Sequence, residues 1–144
     1  MVLILKGIPA IISPDMMKTL MEMGHSDEIV LADANFPAVT CAKRLIRSDG
    51  NKLTLLLEAI LPFFPLDKTV EHPVVLMEAN ADQVPSIWDE YRSIIRKFEP
   101  TVTEFEHMER YKYYERAKNA FAVIVSGDIV FRGNIILKKG VVKN

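Results

Sequence analysis

This chain of 144 residues contains very little cysteine and has almost no net charge. The one cysteine, Cys41, rules out an internal disulfide, and such sparing use is typical of a reducing compartment. The 18 basic and 19 acidic residues are interspersed and leave a formal net charge of −1. No basic stripe exists that could offset the phosphates of a nucleic acid, so we expect no nucleic-acid partner.

Long apolar runs are also missing. No stretch approaches the ~20 residues that a membrane-spanning helix needs. The N-terminal sequence MVLILKGIPAIIS is apolar, but it meets Lys6, Gly7 and Pro9 early and lacks the basic lead and the cleavage pattern of a signal peptide. We therefore expect a cytoplasmic protein that does not enter membranes. The length, and the lack of repeats, low-complexity tracts and flexible linkers, predict a single domain over residues 1–144.

Several enzyme signatures are absent as well. The chain has no glycine loop that could cradle a phosphate, no GxGxxG and no GxSxG. Its three histidines, His25, His72 and His107, are far apart, and none has the close partner that is typical of a zinc site. Chemistry without a metal, or simple binding, remains.

Alternating helices and strands dominate what is present. Ser13 and Pro14 form a strong helix start, because serine caps a helix and proline suits its first position. The spacing of apolar residues predicts helices over 13–23, 53–64, 86–98 and 106–119. Strands are predicted over 28–32, 44–47, 74–77, 102–105, 120–125, 129–131 and 135–138, the last two as a hairpin-like pair. This order predicts an α/β fold, a three-layer α/β/α sandwich with a mixed β-sheet.

The segment GHSDEIVLADANFPA carries two candidate site residues around one buried strand. His25 precedes the strand, and histidine is the side chain that gives and takes protons near neutral pH. Alternatively, a protonated His25 satisfies the last carbonyls of the preceding helix. Asp33 follows the strand, where open α/β sheets place ligand contacts. Alternatively, Asp33 is a turn residue that supports Asn35 and Pro37.

The strand also separates these two residues. Since a strand rises roughly 3.3 Å per residue, the five residues from 28 to 32 place His25 and Asp33 well over 15 Å apart (about five residues of rise). One pocket holds both only if the flanking loops fold back or if a neighbouring subunit supplies one of them. The spacing therefore favours a site at a subunit interface.

The predicted helix 106–119 offers a second set of polar residues. His107, Arg110, Tyr114 and Ala117 follow three- and four-residue steps and share one face. Arginine and tyrosine are good ligands for hydroxyl groups, because the guanidinium is a fixed fork of donors and the phenol both donates and accepts. The alternative is a solvent-exposed face on which Arg110 pairs with Glu106.

Near the C-terminus, Gly133-Asn134 separates the last two predicted strands. This dipeptide is a common hairpin turn, and the sequence alone favours that interpretation. Asn134 could also offer its amide to a hydroxyl group of a ligand.

Three long segments, taken together and in order, identify a family. GIPAIISPDMMKTLMEMGHSDEIVLADANFPA, ERYKYYERAKNAFAVIVSGD and GNIILKKGV resemble the L-fucose mutarotase / D-ribose pyranase (RbsD/FucU) family, from Lys6 to Val141. The stretch from Tyr113 to Ala122 is similar to its fucose mutarotase branch. The resemblance implies an RbsD-like fold. It also implies that the chain interconverts the anomers of a free monosaccharide, with L-fucose as the first expected substrate, and that it uses no metal, nucleotide or other cofactor.

The resemblance also assigns residues. It places the family's catalytic histidine on His25 and its sugar-binding residues on Asp33, Arg110, Tyr114 and Asn134. His25 would take a proton from the anomeric hydroxyl and return one to the ring oxygen. Members form rings of five, often doubled to ten, with sites between subunits. We therefore expect a homo-oligomer, pentameric or decameric, with a monosaccharide as its other partner.

One position departs from the family. Arg132 stands where the family usually has tyrosine, in Arg132-Gly133-Asn134, which leaves its contribution to sugar binding and the preferred sugar open. His107 matches no functional residue of the family. A non-catalytic monosaccharide-binding protein of an uptake system is the alternative function, and an assembly scaffold is a third. His25 separates the first two, because pure binding needs no group that titrates near neutral pH.

Overall fold

A mixed six-stranded sheet organises the computed structural model, which describes residues 2–143. The strands are β1 (Leu3–Leu5), β2 (Ile8–Pro9), β3 (Glu28–Ala32), β4 (Leu45–Ser48), β5 (Val74–Met77), β6 (Glu106–Met108), β7 (Ala122–Ser126) and β8 (Ile135–Lys138). The helices are α1 (Pro14–Glu22), α2 (Ala38–Cys41), α3 (Leu53–Ile60), α4 (Ile87–Phe98) and α5 (Arg110–Asn119), with a 3₁₀ turn at Ala81–Gln83.

Strand direction decides which residues can meet. The order in the sheet is β4-β7-β3-β8-β5-β6, and β1 and β2 form a separate antiparallel hairpin. Strands β4, β7, β3, β5 and β6 share one direction, whereas β8 runs against its neighbours β3 and β5. Five strands therefore end at one edge of the sheet, the carboxyl edge, where β8 begins. The opposite edge, where β3 begins and β8 ends, is the amino edge.

Alternating side chains of β3 divide the core into two halves. Ile29 and Leu31 face the larger half, which includes buried residues of α1, α3 and α4. Val30 and Ala32 face the other half, which includes buried residues of α2 and α5. This alternation is the period-two pattern of a strand covered on both sides. The predicted three-layer α/β/α arrangement with a mixed sheet is confirmed.

The first helix begins as its sequence predicts. Ser13 caps it, since its Oγ accepts a hydrogen bond from the amide of Met16 at 3.2 Å, and Pro14 is the first helical residue. Within residues 2–143, no helix is both long and apolar enough to cross a membrane.

The predictions for residues 102–119 were wrong about where the strand lies and where the helix begins. The strand lies at Glu106–Met108 rather than 102–105, and the helix begins at Arg110 rather than at residue 106. Glu109 sets this boundary, because its carboxylate caps the helix by accepting from the amides of Tyr111 and Lys112.

The predicted strand over 129–131 was also wrong. Residues 127–134 form a loop, and β8 pairs with β3 and β5 rather than with a hairpin partner. Ile129 and Phe131 are 76% and 53% exposed, so a strand there would bury little apolar surface. Gly133-Asn134 is therefore the entry to a central strand and not a hairpin turn.

Candidate functional site

Four structural elements bring the side chains of one cavity together at the carboxyl edge. Asp33 directly follows β3, Met77 ends β5, Arg110 begins α5 just beyond β6, and Asn134 directly precedes β8. Together they line a cavity of about 310 Å³, whose other residues are Asn35, Phe36, Tyr114, Ile129, Val130, Phe131 and Arg132. Five of the six predicted site residues therefore share one cavity: Asp33, Arg110, Tyr114, Arg132 and Asn134.

Asp33 and Asn134 are the buried centre of this cavity. The pairing of Leu31 with Ile135 brings Asn134 beside the end of β3. The Asn134 Oδ1 accepts a hydrogen bond of 2.8 Å from the backbone amide of Asp33. The side-chain amide of Asn134 is thereby oriented, because its oxygen is committed to Asp33.

The carboxylate of Asp33 also stabilises the turn that follows β3. Its Oδ1 accepts from the amide of Asn35 at 2.8 Å, so the turn interpretation is confirmed, together with the position in the cavity. Burial raises the pKa of Asp33, and the backbone amides of Asn35 and Phe36 oppose that rise. A second carboxylate, Asp128, adds to the rise.

Helix α4 holds the loop that carries Arg132 and Asn134. The indole Nε1 of Trp88 donates to the carbonyl of Arg132 at 2.9 Å, and the hydroxyl of Tyr91 donates to the carbonyl of Gly133 at 2.5 Å. Tyr91 is fully buried, and burial raises the pKa of its hydroxyl, so this group is a donor at any ordinary pH. The sequence shows these two residues only as part of an apolar helix face.

Aromatic rings line the cavity beside Arg110. Tyr114 meets Phe36 edge to face at 5.5 Å between ring centroids and meets Tyr111 at 6.2 Å. The guanidinium of Arg110 lies over the ring of Tyr111 at 4.6 Å and also contacts its hydroxyl. A flat, apolar wall next to hydroxyl-binding groups suits a ligand that has polar edges and an apolar face.

The predicted shared face of the 106–119 segment is only half correct. His107 belongs to β6 and packs its ring against Trp88 at 5.0 Å, so it does not extend the face of Arg110. Burial and the nearby Arg92 lower the pKa of His107. The alternative pair of Arg110 with Glu106 was wrong, since Glu106 lies 3.5 Å from Arg116.

His25 lies at the amino edge, in a different cavity. Its Nε2 is 3.2 Å from the Oδ1 of Asp67, which also accepts from the amide and the hydroxyl of Thr69 at 3.0 and 2.7 Å. The side chain of His25 is 43% exposed, and that of Asp67 is 1% exposed. This contact replaces the predicted alternative in which His25 serves the carbonyls of α1. The surrounding cavity measures about 330 Å³ and also involves Glu99.

Asp67 is the site residue that the sequence analysis missed. Burial alone would raise its pKa, but the hydrogen bonds from Thr69 and the contact with His25 outweigh that effect and lower it. Its Oδ2 is buried without a hydrogen-bond partner among residues 2–143. Because 42 residues separate Asp67 from His25, no local pattern could have revealed the pair.

Exposed apolar side chains accompany both cavities. Ile129 and Phe131 flank the cavity at the carboxyl edge and are 76% and 53% exposed. Val141 lines the cavity of His25, and it and Val142 are 53% and 66% exposed. Each edge of the sheet thus combines part of the predicted site with apolar surface that a single copy leaves in water.

Similarity to known proteins covers nearly the whole chain. Residues 6–142 match the model of the RbsD / FucU transport protein family. A protein named L-fucose mutarotase from Haemophilus influenzae is 49% identical over 142 residues, which cover 95% of this chain and 96% of that protein. One named fucose mutarotase from Homo sapiens is 47% identical over 146 residues, covering 95% and 94%.

The fold also matches that of a solved structure. The fucose mutarotase from Streptococcus pneumoniae, solved in complex with L-fucose, superposes with a TM-score of 0.92 at 47% identity. The match covers 96% of this chain and 100% of that one.

Proposed function

The chain belongs to the RbsD/FucU family. On that premise we propose that it is a mutarotase that interconverts the α and β anomers of a free monosaccharide, with L-fucose as the first expected substrate. The observation that carries this proposal is the similarity to fucose mutarotases over 95% of the chain. The cavity at the carboxyl edge supports it, because carboxylate, guanidinium, amide and phenol groups converge there beside an aromatic wall.

The reaction requires only that the protein assist two proton transfers. A proton leaves the anomeric hydroxyl and another reaches the ring oxygen, so that the ring opens to the aldehyde. The bond between the first two carbons then rotates, and the ring closes on its other face. A positioned acid/base side chain typically accelerates such steps by 10²–10⁴. We assign this role to His25, with no cofactor.

Asp67 supports the proton transfer through His25. Its carboxylate contacts the Nε2 of His25 at 3.2 Å, and Thr69 fixes the carboxylate with two hydrogen bonds. A carboxylate bound to one ring nitrogen orients the imidazole and leaves the other nitrogen for the substrate. The His25 side chain is 43% exposed, so a partner molecule can still reach its ring.

The residues at the carboxyl edge bind the sugar. Asp33 accepts hydrogen bonds from sugar hydroxyls, and Arg110 and the amide nitrogen of Asn134 donate to them. Tyr114 contacts the apolar face of the ring and offers its hydroxyl. These groups orient the sugar, and His25 moves the proton.

Assembly must join the two edges. Since His25 and Asp33 lie at opposite ends of β3 and line separate cavities, we propose that the amino edge of one copy meets the carboxyl edge of the next. A head-to-tail contact generates a ring when the rotation between successive copies closes on itself. The exposed Ile129, Phe131, Val141 and Val142 support this arrangement, because the contact would bury them. Five copies, or ten in two rings, is the size that the family resemblance implies.

Two further predictions, on domain organisation and on cellular location, belong with this proposal. We propose that residues 1–144 act as one domain. We also propose a cytoplasmic location, where the buried thiol of Cys41 stays reduced.

Saturation-transfer NMR between the two anomers of L-fucose tests the proposal. Wild-type protein should speed anomer exchange above the buffer rate, and His25→Gln should reduce that effect by about 10²-fold or more. His72→Gln is the matched control and should leave exchange unchanged. Binding of L-fucose without any acceleration of exchange would favour the non-catalytic binding protein instead.

A further inference from the structure

Within residues 2–143, the guanidinium of Arg132 has no carboxylate partner. Within residues 2–143, its contacts are the thioether sulfur of Met77 and the ring of Phe131, which lies 5.1 Å away. Its Nε is buried and has no hydrogen-bond partner in that part of the chain. Thioethers are weak acceptors, so most of the donor capacity of this guanidinium is unused. Leaving a buried charged donor without a hydrogen-bond partner is costly.

The backbone fixes Arg132 in this position. Its φ is 55°, in the left-handed region that residues with a side chain seldom adopt, and its carbonyl accepts from Trp88. The next residue, Gly133, is held by Tyr91 in the same way. Arg132 is therefore anchored through its main chain while its guanidinium faces the cavity.

Charge in the cavity is unbalanced towards positive. Asp33 is its one carboxylate among the described residues, whereas Arg110 and Arg132 supply two guanidinium groups. Neither arginine forms an ion pair within residues 2–143. A neutral sugar in the cavity would add no carboxylate partner for either guanidinium group.

A second, outer cavity of about 490 Å³ adjoins the first through the same two arginines. It contains the carboxylates of Glu78 and Glu109. Glu109 is already engaged in capping α5. Glu78 forms no ion pair with either arginine within residues 2–143, so Arg132, which lines both cavities, has no carboxylate partner on either side.

We propose that this protein accepts free aldoses that carry an anionic group on their terminal carbon, with Arg132 as the residue that selects them. The proposal rests on the mutarotase function above and names its substrate class. A carboxylate matches the fork of a guanidinium with two parallel hydrogen bonds, which a neutral hydroxyl cannot form. The terminal group is remote from the anomeric carbon, so ring opening and closure proceed as for a neutral sugar.

A matched pair of sugars provides the test. D-Galactose and D-galacturonate differ only at the terminal carbon, which is a hydroxymethyl group in one and a carboxylate in the other. Anomer exchange above the buffer rate is measured by NMR for both. Wild-type protein should have a higher kcat/KM for D-galacturonate, and Arg132→Tyr should reduce the ratio of the two by about ten- to a hundredfold. D-Galactose 6-phosphate distinguishes a carboxylate site from a general anion site.

Two further variants make the result specific. Arg132→Lys should keep part of the preference, because it retains the charge but loses the fork. Arg96→Gln removes one exposed positive charge from α4 and should leave the ratio unchanged. Trp88, the only tryptophan, bonds to the Arg132 carbonyl, so its fluorescence gives an independent binding readout.

The outcomes separate the two proposals. Exchange of D-galactose without exchange of D-galacturonate, or an unchanged ratio in Arg132→Tyr, overturns the substrate class and leaves the mutarotase function standing. Absence of exchange for these sugars and also for L-fucose overturns the mutarotase function. In that case, titration of the Trp88 fluorescence with D-galacturonate decides the anion site, which requires saturable binding that Arg132→Tyr weakens.

Discussion

The side-chain oxygen of Asn134 accepts a hydrogen bond of 2.8 Å from the backbone amide of Asp33, although 101 residues separate them in the sequence. The antiparallel pairing of β3 with β8 creates this contact, because the end of one strand lies beside the start of the other. The two proposed sugar ligands are thus fixed to each other before any sugar arrives.

Replacing Asn134 by alanine should therefore affect both stability and binding. The amide of Asp33 would lose its acceptor in a buried place, at a cost of about 1–3 kcal/mol in the free energy of unfolding. Urea unfolding measures that loss, and an L-fucose titration should show weaker binding. Asn119→Ala, at an exposed bond to the Glu115 carbonyl, is the control. Equal stability of the two variants would contradict the account.

Asp33→Asn should stabilise the fold while it removes sugar binding. Burial raises the pKa of Asp33 in the folded protein, so its ionised form costs stability at neutral pH. That cost is present above the raised pKa and disappears as the pH falls towards the ordinary value of 3.8. The gain in melting temperature of Asp33→Asn should therefore shrink on acidification. A gain that grows at low pH would show that the sign is wrong.

Asp67→Asn should behave in the opposite way. The pKa of Asp67 is lowered in the folded protein, so its ionised form contributes stability above the unfolded value of 3.8. That contribution is lost as the pH falls through the lowered pKa. The variant should be less stable than wild type at pH 7, with the difference fading in acid, and it should also slow anomer exchange. Asp89→Asn, 88% exposed, is the control.

Two buried tyrosines should respond differently to loss of their hydroxyl groups. Tyr91→Phe leaves the carbonyl of Gly133 without its donor, which should cost about 1–3 kcal/mol and raise the KM for the sugar. The hydroxyl of Tyr113 is buried without a partner among residues 2–143, so Tyr113→Phe should be neutral or stabilising. Chemical unfolding and exchange kinetics of both variants test this contrast. A larger loss in Tyr113→Phe would refute it.

Local patterns were enough to predict most of the sheet and its helices. The buried strand after His25, the strand over Val74–Met77 and the amphipathic α4 all follow from the spacing of apolar residues. The position of Asp33 at the end of its strand also follows from that spacing. The family resemblance then supplied the roles of the more distant residues.

The remaining features depend on contacts that no short segment contains. Residues 127–134 form a loop that is held through the carbonyls of Arg132 and Gly133 by Trp88 and Tyr91, more than 40 residues away. The helix boundary at Glu109 depends on a side-chain cap that directly follows the pairing of β6 with β5. The hairpin β1–β2, whose β1 side chains are exposed and apolar, has no counterpart in the predictions.

A complementation experiment tests the central claim most directly. His25→Gln and Asp33→Ala are each expected to be inactive alone, since every site lacks one partner. If sites form between neighbouring copies, co-expression of the two variants in equal amounts gives mixed rings in which about a quarter of the sites contain both native residues. The account predicts that about a quarter of wild-type L-fucose anomer exchange returns. Mixed rings without any recovered exchange would contradict a site shared between copies.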